Sequence, residues 1–405
     1  MSPTNERKPN RAVAYRSGMR VAIAALAGTS SAERARQALM RAKRIAVLNK
    51  FKFMGDTLVA TPLLRQLRQY CPEAEIDIFT SSSAATALED YPYINRAISL
   101  KQGSGRRLQH MQELVHTLKK GHYDVAFLLN RSMQCAIATK LAGIPTRIGY
   151  KAECRSPLLT LPIPYSFDRN EISCHLDMLR ALGLPAEDTL PELVFSDTIR
   201  ARTYELLTEF GWRGDLNGHP LIGFQPGAND AYIREWGADR YARVADRLIE
   251  ELGATVVILG GLEEKETADE MERIMTHPAL NLIGKTKLRE ALALIGNCDL
   301  WIGNDSGLLH TAVAQGVPTI GIYGPNKVVR WGYDTKRHRS LVVFPERPAE
   351  TDAAIRQCLD QIPITLVLKT AREVMNATPT AFSEAEAPYF TATQEQAQLL
   401  AARRR

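Results

Sequence analysis

The chain has 405 residues, of which 45% are hydrophobic and 24% are charged, which is ordinary for a soluble globular protein with room for two domains. The formal charge of +6 is unevenly spread, because residues 1–44 carry +8 and the remainder carries −2. No run approaches the roughly 20 apolar residues that span a bilayer. The six scattered cysteines form no Cys-x-x-Cys pair, which argues against a disulfide framework or zinc site and favours a reducing cytoplasm.

From residue 44 onward, the first half of the chain alternates apolar runs with segments of helical periodicity. The predicted strands cover residues 44–50, 76–80, 98–100, 123–129 and 147–150. The predicted helices cover residues 58–70, 81–89, 108–120, 132–142 and 175–182. A regular alternation of this kind predicts a parallel sheet with helices on both faces.

A second alternation follows an irregular, proline-containing stretch at residues 151–196. Its predicted strands include residues 221–225, 255–259, 281–284 and 298–303, with helices at residues 241–252, 265–275 and 288–295. The sequence therefore predicts an α/β protein with two doubly wound halves, and we place the boundary after residue 205. Ligands bind beyond the carboxyl ends of such strands, so two facing halves would form a cleft with one ligand on each side.

The heptapeptide Asn-Asp-Ser-Gly-Leu-Leu-His at residues 304–310 is the most informative stretch. It joins a short buried strand to a helix that Gly316 and Pro318 terminate. The amides and dipole at the start of a helix attract anions. Asp305 or Ser306 can cap this helix, and Gly307 lets a ligand approach the backbone. Considered alone, the heptapeptide is explained about equally well by an ordinary capped helix.

Other polar groups follow other strand ends. Residues 226–228 and nearby Arg234 would suit a diphosphate, through amides and a guanidinium. Glu263, after the next strand, would suit ribose hydroxyls. In the first half, Asp56 stands at the first strand–helix junction, where a carboxylate can accept a proton in the cleft. Surface ion pairing, helix capping or solvation would explain each residue separately, and their common placement favours a functional site.

Several well-known motifs are missing from the sequence. There is no Gly-x-x-x-x-Gly-Lys-Ser/Thr loop and no Gly-x-Gly-x-x-Gly after the first strand, which argues against a nucleotide hydrolase or a dehydrogenase. There is no Gly-x-Ser-x-Gly elbow. The eight histidines form no His-Glu-x-x-His or comparable set, so we predict neither a metal nor a cofactor.

Five segments stand out together when the chain is taken in order. They are residues 53–58 followed by Pro62, residues 142–150, His175 with residues 182–184, residues 225–228 with 234–236, and residues 305–310 with 323–325. In this order they resemble the signature blocks of glycosyltransferase family 9, the heptosyltransferases of lipopolysaccharide core assembly. The resemblance extends from about residue 44 to about residue 375, and the last block is the most diagnostic.

The resemblance implies a GT-B fold, in which two Rossmann-like domains face a central cleft. The acceptor-binding domain would comprise residues 44–205, after a basic N-terminal extension at residues 1–43, and the nucleotide-sugar-binding domain residues 206–363. Residues 364–405 would supply a C-terminal helix, at residues 364–375, that crosses back to the first domain, and a tail. The activity implied is an inverting, metal-independent transfer of a heptose or related sugar, typically from ADP-L-glycero-D-manno-heptose, to a lipopolysaccharide-core or related glycolipid acceptor.

The resemblance also implies roles for individual residues. Asp56 matches the proposed general base, Arg234 stands where many members have a lysine that contacts the diphosphate, and Glu263 matches the ribose position. The remaining donor-binding candidates are Gln225, Pro226, Gly227, Ala228, Thr286, Asp305, Ser306, Gly307 and His310. A phosphorylated acceptor favours a basic rim on the first domain, for which the candidates are Arg131, Arg147, Lys151 and Arg155, although solvated surface residues are a simpler interpretation.

Three alternatives remain open: a family 9 transferase with another donor or acceptor, a GT-B-like sugar-nucleotide epimerase, and a non-catalytic nucleotide-sugar-binding protein. The expected partners are a nucleotide sugar, a lipid-linked glycan and an anionic inner-membrane surface, with no nucleic acid. The basic termini would hold a cytoplasmic enzyme at the inner face of the inner membrane. A solvated tail explains the basic N-terminal segment at least as well.

Overall fold

The computed structural model describes residues 29–100, 107–152, 154–214, 218–228, 234–346, 349, 351–377 and 388–390. Within these residues the chain forms two parallel sheets of six strands each. Residues 1–28 of the predicted basic extension and most of the predicted tail lie outside the described residues, so the proposed membrane tether stays a prediction.

The first domain is built on a sheet with the strand order β3-β2-β1-β4-β5-β6. Its strands are β1 (Arg44–Leu48), β2 (Glu75–Thr80), β3 (Arg96–Ser99), β4 (Val125–Leu128), β5 (Thr146–Tyr150) and β6 (Leu161–Ile163). Its helices are α1 (Thr29–Met40), α2 (Met54–Leu58), α3 (Thr61–Tyr70), α4 (Ser82–Ala87), α5 (Arg107–Gly121), α6 (Met133–Leu141) and α7 (Glu171–Ala181), with a short 3-10 helix at Ser156–Leu158.

The central strand β1 shows why this sequence forms a sheet covered on both faces. Successive side chains of a strand point to opposite faces. Ile45 and Val47 accordingly join one apolar core, and Ala46 and Leu48 join the other. An uninterrupted apolar strand of this kind is stable only between two layers of helices.

The second domain repeats the arrangement with the order β9-β8-β7-β10-β11-β12. Its strands are β7 (Leu221–Gln225), β8 (Thr255–Ile258), β9 (Leu280–Asn281), β10 (Leu300–Asn304), β11 (Thr319–Ile322) and β12 (His338–Leu341). Its helices are α8 (Asp197–Glu209), α9 (Ala238–Leu252), α10 (Lys265–Ile274), α11 (Leu288–Leu294), α12 (Gly307–Ala314), α13 (Val328–Trp331), α14 (Asp352–Asp360) and α15 (Ile364–Met375), with short 3-10 helices at Leu262–Glu264 and Ile295–Asn297.

The two sheets share one topology, in which the chain builds outward on one side of the first strand and then on the other. The strand order reverses between β1 and β4 in the first sheet and between β7 and β10 in the second. Ligands bind at such switch points, beyond the carboxyl ends of the strands. The predicted α/β class, with two doubly wound halves, is confirmed.

Two helices of the structure differ from the predictions. The predicted helix at residues 58–70 begins at Thr61 as α3, because Pro62 stands in its first turn, a position that suits proline. The short helix α2 occupies residues that the sequence predicted as a loop. Helix α8 continues through the boundary that we placed after residue 205. Its Leu207 packs into a core of the second domain, so that domain begins before α8.

The prediction that residues 364–375 cross back to the first domain was wrong. Helix α15 packs against the second domain, where Val367, Ala371 and Val374 join the same core as β7 and β10. The face that carries Val367, Ala371 and Val374 is buried there, so this face is not available to the first domain. Among the described residues after 375, residues 388–390 reach the first domain, and Tyr389 belongs to its core.

Candidate active site at the domain junction

Asp56 lies in the first turn of α2, the first helix after β1. Its side chain is only 8% exposed, and Lys50 Nζ lies 2.7 Å from Oδ1. Asn49 fixes the local backbone, since its Nδ2 donates to the Asp56 carbonyl oxygen at 2.9 Å. The sequence-predicted base is therefore held at the edge of the sheet where a ligand is expected.

Two glycines allow the first turns of α2 and α12 to touch across the junction. A Cβ added at Gly55 would lie 2.9 Å from His310 Cδ2, and one added at Gly307 would lie 3.1 Å from Met54 Cε. At Gly55 the distance is shorter than carbon atoms in contact tolerate, so this position favours a residue without a side chain. The closeness of the two helices places the Asp56 turn opposite the predicted donor loop.

His310 is buried in α12 and faces this contact. Its Nδ1 is 2.7 Å from the Tyr333 hydroxyl, and the two form a hydrogen bond. Burial lowers the pKa of His310 to about 4, although the nearby negative charge of Asp56 acts to raise it. At neutral pH the imidazole is therefore uncharged and offers one N–H donor and one acceptor.

The loop at residues 304–307, which is the predicted donor loop, is held by hydrogen bonds to residues 225–227. Ser306 is the N-cap of α12, because its hydroxyl accepts from the Leu309 N–H at 3.3 Å. The same hydroxyl donates to Gln225 Oε1. Asn304 is fully buried, and its Nδ2 donates to the carbonyl oxygens of Pro226 at 2.8 Å and Gly227 at 3.2 Å. The structure thus brings residues 225–227 and 304–307 together, as the sequence suggested.

Asp305 lies near three positively charged side chains. Burial raises the pKa of this carboxyl group, and three nearby cations oppose the shift, namely Arg234, Lys327 and Arg330. A cluster of two guanidiniums and an ammonium next to a helix N-terminus is suited to a diphosphate. Sequence reasoning had proposed only Arg234 for this role.

Three other donor-binding candidates, Ala228, Glu263 and Thr286, differ in how far they are exposed. Ala228 is buried, and its N–H already donates to Glu235 Oε1 at 3.0 Å, so this amide is occupied by a carboxylate of the protein. Glu263 is exposed at the carboxyl end of β8. Thr286 is half-buried in the loop before α11. The donor-binding roles of Glu263 and Thr286 stay predictions.

The buried carboxylate beneath the donor loop is Glu264 and not its neighbour Glu263. Gln225 Nε2 donates to both of its oxygens, at 2.9 and 3.1 Å, and the Gly261 N–H donates at 3.0 Å. Burial raises the pKa of Glu264 to about 7. The sequence offers adjacent glutamates here, and only the turn of the short helix decides which one points inward.

Two of the proposed acceptor residues are exposed on the first domain. The Arg131 guanidinium lies over the rings of Tyr165 and Phe167, 5.0 and 4.4 Å from their centroids. Lys151 directly follows β5 and is exposed. Both remain candidates for contact with an anionic acceptor.

The other two acceptor candidates have structural roles. Arg155 is fully buried and donates to the carbonyl oxygens of Tyr150 at 2.8 Å and Ser132 at 3.0 Å. Arg147 stands near the amino end of β5, away from the ligand-binding edge, and its Nε donates to the Leu158 carbonyl at 2.7 Å. The expectation that Arg147 and Arg155 form a surface rim is therefore not met, because backbone carbonyls hold both guanidiniums.

Further observations concern the described part of the chain as a whole. Among these residues no group of three or more His, Cys, Asp or Glu side chains is arranged to hold a metal ion. Of the helices that the structure describes, none combines the length and apolar character needed to cross a bilayer.

Two Rossmann-like domains that meet at an aspartate and a capped helix define the GT-B architecture of nucleotide-sugar transferases. The chain matches glycosyltransferase family 9 (heptosyltransferase) over residues 111–358, more than half its length, and it belongs to that family. It is therefore a glycosyltransferase, as the sequence predicted, which argues against the epimerase and non-catalytic alternatives.

Similar proteins cover most of the chain. Lipopolysaccharide heptosyltransferase 2 of Escherichia coli is 31% identical over 289 residues, which is 68% of this chain and 81% of that protein. The solved structure of E. coli ADP-heptose lps heptosyltransferase II has a TM-score of 0.68 and 26% identity, covering 82% of this chain and 98% of that chain. A family 9 glycosyl transferase from Veillonella parvula has a TM-score of 0.70 and 23% identity over 82% and 97% of the two chains, which shows a shared fold.

Proposed function

We propose that this protein is an inverting, metal-independent heptosyltransferase that transfers a heptose from ADP-heptose to a lipopolysaccharide-core acceptor. The observation that carries the proposal is the position of Asp56, opposite the capped amino end of α12 across the domain junction. The names of the similar E. coli proteins, which specify lipopolysaccharide and ADP-heptose, support the choice of acceptor and donor.

On the acceptor side, a sugar hydroxyl loses its proton as it attacks the anomeric carbon. We propose that Asp56 takes that proton, because it lies in the first helix after β1 and close to His310 of the second domain. A positioned general base of this kind contributes about 10²–10⁴-fold to a rate. Attack from the face opposite the leaving diphosphate inverts the anomeric configuration.

On the donor side, the departing nucleoside diphosphate gains negative charge in the transition state. Positive groups fixed in advance near that charge lower the barrier without reorganising. Arg234, Lys327 and Arg330 supply such charge around Asp305, and the amino end of α12 adds its amides and dipole. We propose that these groups replace the metal ion that other transferases use.

The close contact of the domains protects the reaction from water. Met54, Gly55 and Asp56 are all buried against the second domain. Excluding water strengthens the electrostatic interactions in the site and limits hydrolysis of the donor. We propose that the acceptor enters beside the exposed Arg131 and Lys151, whose charges suit a phosphorylated glycan. A lipid-linked acceptor would place the enzyme at the cytoplasmic face of the inner membrane.

The test of the base is the isosteric variant Asp56→Asn. We expect turnover with ADP-heptose and a heptose-deficient core acceptor to fall by about a hundredfold or more. Calorimetric affinity for ADP should stay within about threefold, because the substitution keeps the side-chain volume and lies on the acceptor side. Asp239→Asn, on the exposed surface of α9, is the matched control. Wild-type turnover of the Asp56 variant would contradict the proposed mechanism.

The test of the donor is a panel of ADP, UDP, GDP and CDP sugars, with nucleotide release measured in the presence and absence of acceptor. We expect release only from ADP-heptose and only with acceptor present. Acceptor-dependent release from another nucleotide sugar would reject the proposed donor and leave the family assignment intact.

A further inference from the structure

Glu171 is a buried carboxylate that no segment of the sequence marked as important. It is the first residue of α7 and is 1% exposed. An isolated buried charge is very costly, so a buried carboxylate needs partners of opposite charge and hydrogen bonds. Burial alone would raise the pKa of Glu171, but Lys50, His175 and Arg330 together lower it to about 2. It is therefore ionised throughout the working range of pH.

The two carboxylate oxygens of Glu171 hold different cations. Oε1 lies 3.3 Å from Lys50 Nζ, and Oε2 lies 2.6 Å from an Arg330 terminal nitrogen. The Tyr165 hydroxyl also donates to Oε2, at 2.5 Å. Three donors around one buried carboxylate leave it little freedom to rotate.

Lys50 is shared between Glu171 and the proposed base. Its Nζ is 2.7 Å from Asp56 Oδ1, and it lies 5.0 Å from the centroid of the Trp331 ring. A lysine on its own has a flexible four-carbon stem and many rotamers. Here two carboxylates and an aromatic face select one position, and that position fixes the Asp56 carboxylate.

Arg330 reaches Glu171 from the other domain. It belongs to α13 of the second domain, next to Trp331, and its charge acts on Asp305 of the donor loop. Glu171 lies at the start of α7 in the first domain. The contact between Arg330 and Glu171 therefore exists only when the two domains are in contact, as they are in this structure.

We propose that Glu171 is a positioning residue that couples domain closure to catalysis. By binding Lys50 with one oxygen and Arg330 with the other, it sets the Asp56 carboxylate toward the acceptor and the Arg330 guanidinium toward the leaving diphosphate at the same time. This inference rests on the proposed function, because it assigns Asp56 and Arg330 the roles given above. It adds that neither group is correctly placed until Arg330 reaches Glu171.

The experiment compares Glu171→Gln, Arg330→Gln and the double variant in the full chain, with kcat and KM measured for donor and acceptor. Glutamine keeps the shape of each side chain and removes its charge. We expect each single variant to lower kcat by about tenfold or more and to change the donor KM by less than about threefold. The double variant should be no slower than the slower single variant, since both substitutions break the same link.

A matched control is available at another charged contact between the domains. Arg289 of α11 pairs with Glu89 and Asp90 of the first domain, whereas Lys50 pairs with Asp56 and Glu171. Arg289→Gln should leave kcat within about twofold of wild type, because an ion pair that shares no partner with Lys50 or Asp56 acts additively and weakly. If Arg289→Gln reduces kcat as much as Glu171→Gln, any loss of interdomain contact suffices and the inference is overturned.

Other outcomes are equally decisive. The inference is overturned if Glu171→Gln has a wild-type kcat. It is also overturned if the defect of the double variant is the product of the two single defects. In both cases a wild-type enzyme that transfers heptose sustains the proposed function. A wild-type enzyme that transfers from no donor in the panel overturns the proposed function itself. Should Glu171→Gln fail to fold, Glu171→Asp keeps the negative charge and shortens its reach to Lys50 and Arg330: a reduced kcat with an unchanged donor KM supports the inference, and a wild-type kcat overturns it.

Discussion

At the scale of single residues, Glu264 makes the stability of the protein depend on pH. Its carboxyl group accepts hydrogen bonds from Gln225 and from the Gly261 amide, and burial raises its pKa to about 7. Because this folded-state pKa lies above that of the unfolded chain, the folded protein binds the proton more tightly. The stabilisation from this group is complete below the unfolded pKa and is lost as pH rises toward 7.

The corresponding prediction compares wild type with Glu264→Gln, which cannot titrate. We expect the wild-type free energy of unfolding, relative to the variant, to fall by about 2 kcal/mol between pH 5 and pH 7 and to change little from pH 7 to pH 8. Urea unfolding at each pH measures both proteins, and other titrating groups cancel in the difference. Glu263→Gln, at the exposed neighbour, is the control. A difference that stays constant from pH 5 to pH 8 would refute the raised pKa.

Residues in contiguous motifs were easier to predict than residues that meet only in the folded protein. Asp56, Ser306 and His310 each follow a strand in a short motif, and the structure brings all three to the junction. Lys50 and Glu171 come from segments about 120 positions apart, and nothing in their local sequence indicates that they share a partner. Arg147 and Arg155 failed as surface candidates because a sequence shows the charge of a side chain and not the backbone carbonyls that bind it.

At the scale of secondary-structure elements, the contact between α2 and α12 depends on glycine. In an ordinary exposed helix, replacing glycine by alanine stabilises by up to about 1 kcal/mol. At Gly55 the new methyl group would lie 2.9 Å from His310 Cδ2, and the Tyr333 hydroxyl holds that ring. Overpacking should therefore outweigh helix propensity.

We predict that Gly55→Ala destabilises the protein by about 1–3 kcal/mol and lowers kcat by about tenfold or more, because α12 and the donor loop must move away from Asp56. Thermal unfolding and steady-state kinetics measure the two effects. Gly296→Ala is the control, since its methyl group meets only the flexible end of Gln315. A Gly55→Ala enzyme with normal turnover would show that α2 and α12 can move apart without any loss of catalysis.

The elements themselves were largely predictable, and their partners were less so. Apolar runs such as residues 44–48 and 221–225 predict buried strands because only a sheet covered on both faces accommodates them. Helix α15 was predicted with its correct bounds, yet its apolar stripe gives no information about which domain covers it. Helix α2 was missed because a helix of five residues is too short to show an apolar periodicity.

At the scale of the whole molecule, the two domains form a single packed body at their junction. Leu292, Val313 and Tyr333 of the second domain join the core of the first. Asn170 Nδ2 donates to the Gly332 carbonyl across the junction at 3.1 Å. The repeated alternation of strands and helices predicted two domains, but the sequence carries no periodic signal for the surface on which they meet.

The C-terminal residues 388–390 tie this junction together. They lie antiparallel to residues 332–334, with hydrogen bonds from the Phe390 N–H to the Gly332 carbonyl and from the Asp334 N–H to the Pro388 carbonyl, both 3.1 Å. The Tyr389 hydroxyl donates to the carbonyl of Thr189, in the loop between α7 and α8, at 2.5 Å. The backbone on either side of Tyr389 is therefore hydrogen-bonded to the second domain, and the Tyr389 side chain is hydrogen-bonded to the first domain.

We predict that Tyr389→Ala destabilises the protein by about 3–5 kcal/mol, the usual cost of removing a buried aromatic ring. Turnover should also fall, because Tyr333 packs beside Tyr389 and positions His310 through its hydroxyl. Tyr389→Phe keeps the ring and loses only the hydrogen bond to Thr189, so its cost should be about 1 kcal/mol with nearly normal turnover. Urea unfolding and initial rates separate the two variants. If Tyr389→Ala matched wild type in both measurements, the segment would contribute nothing to the junction, and the alignment of Tyr333 and His310 would have to come from the second domain alone.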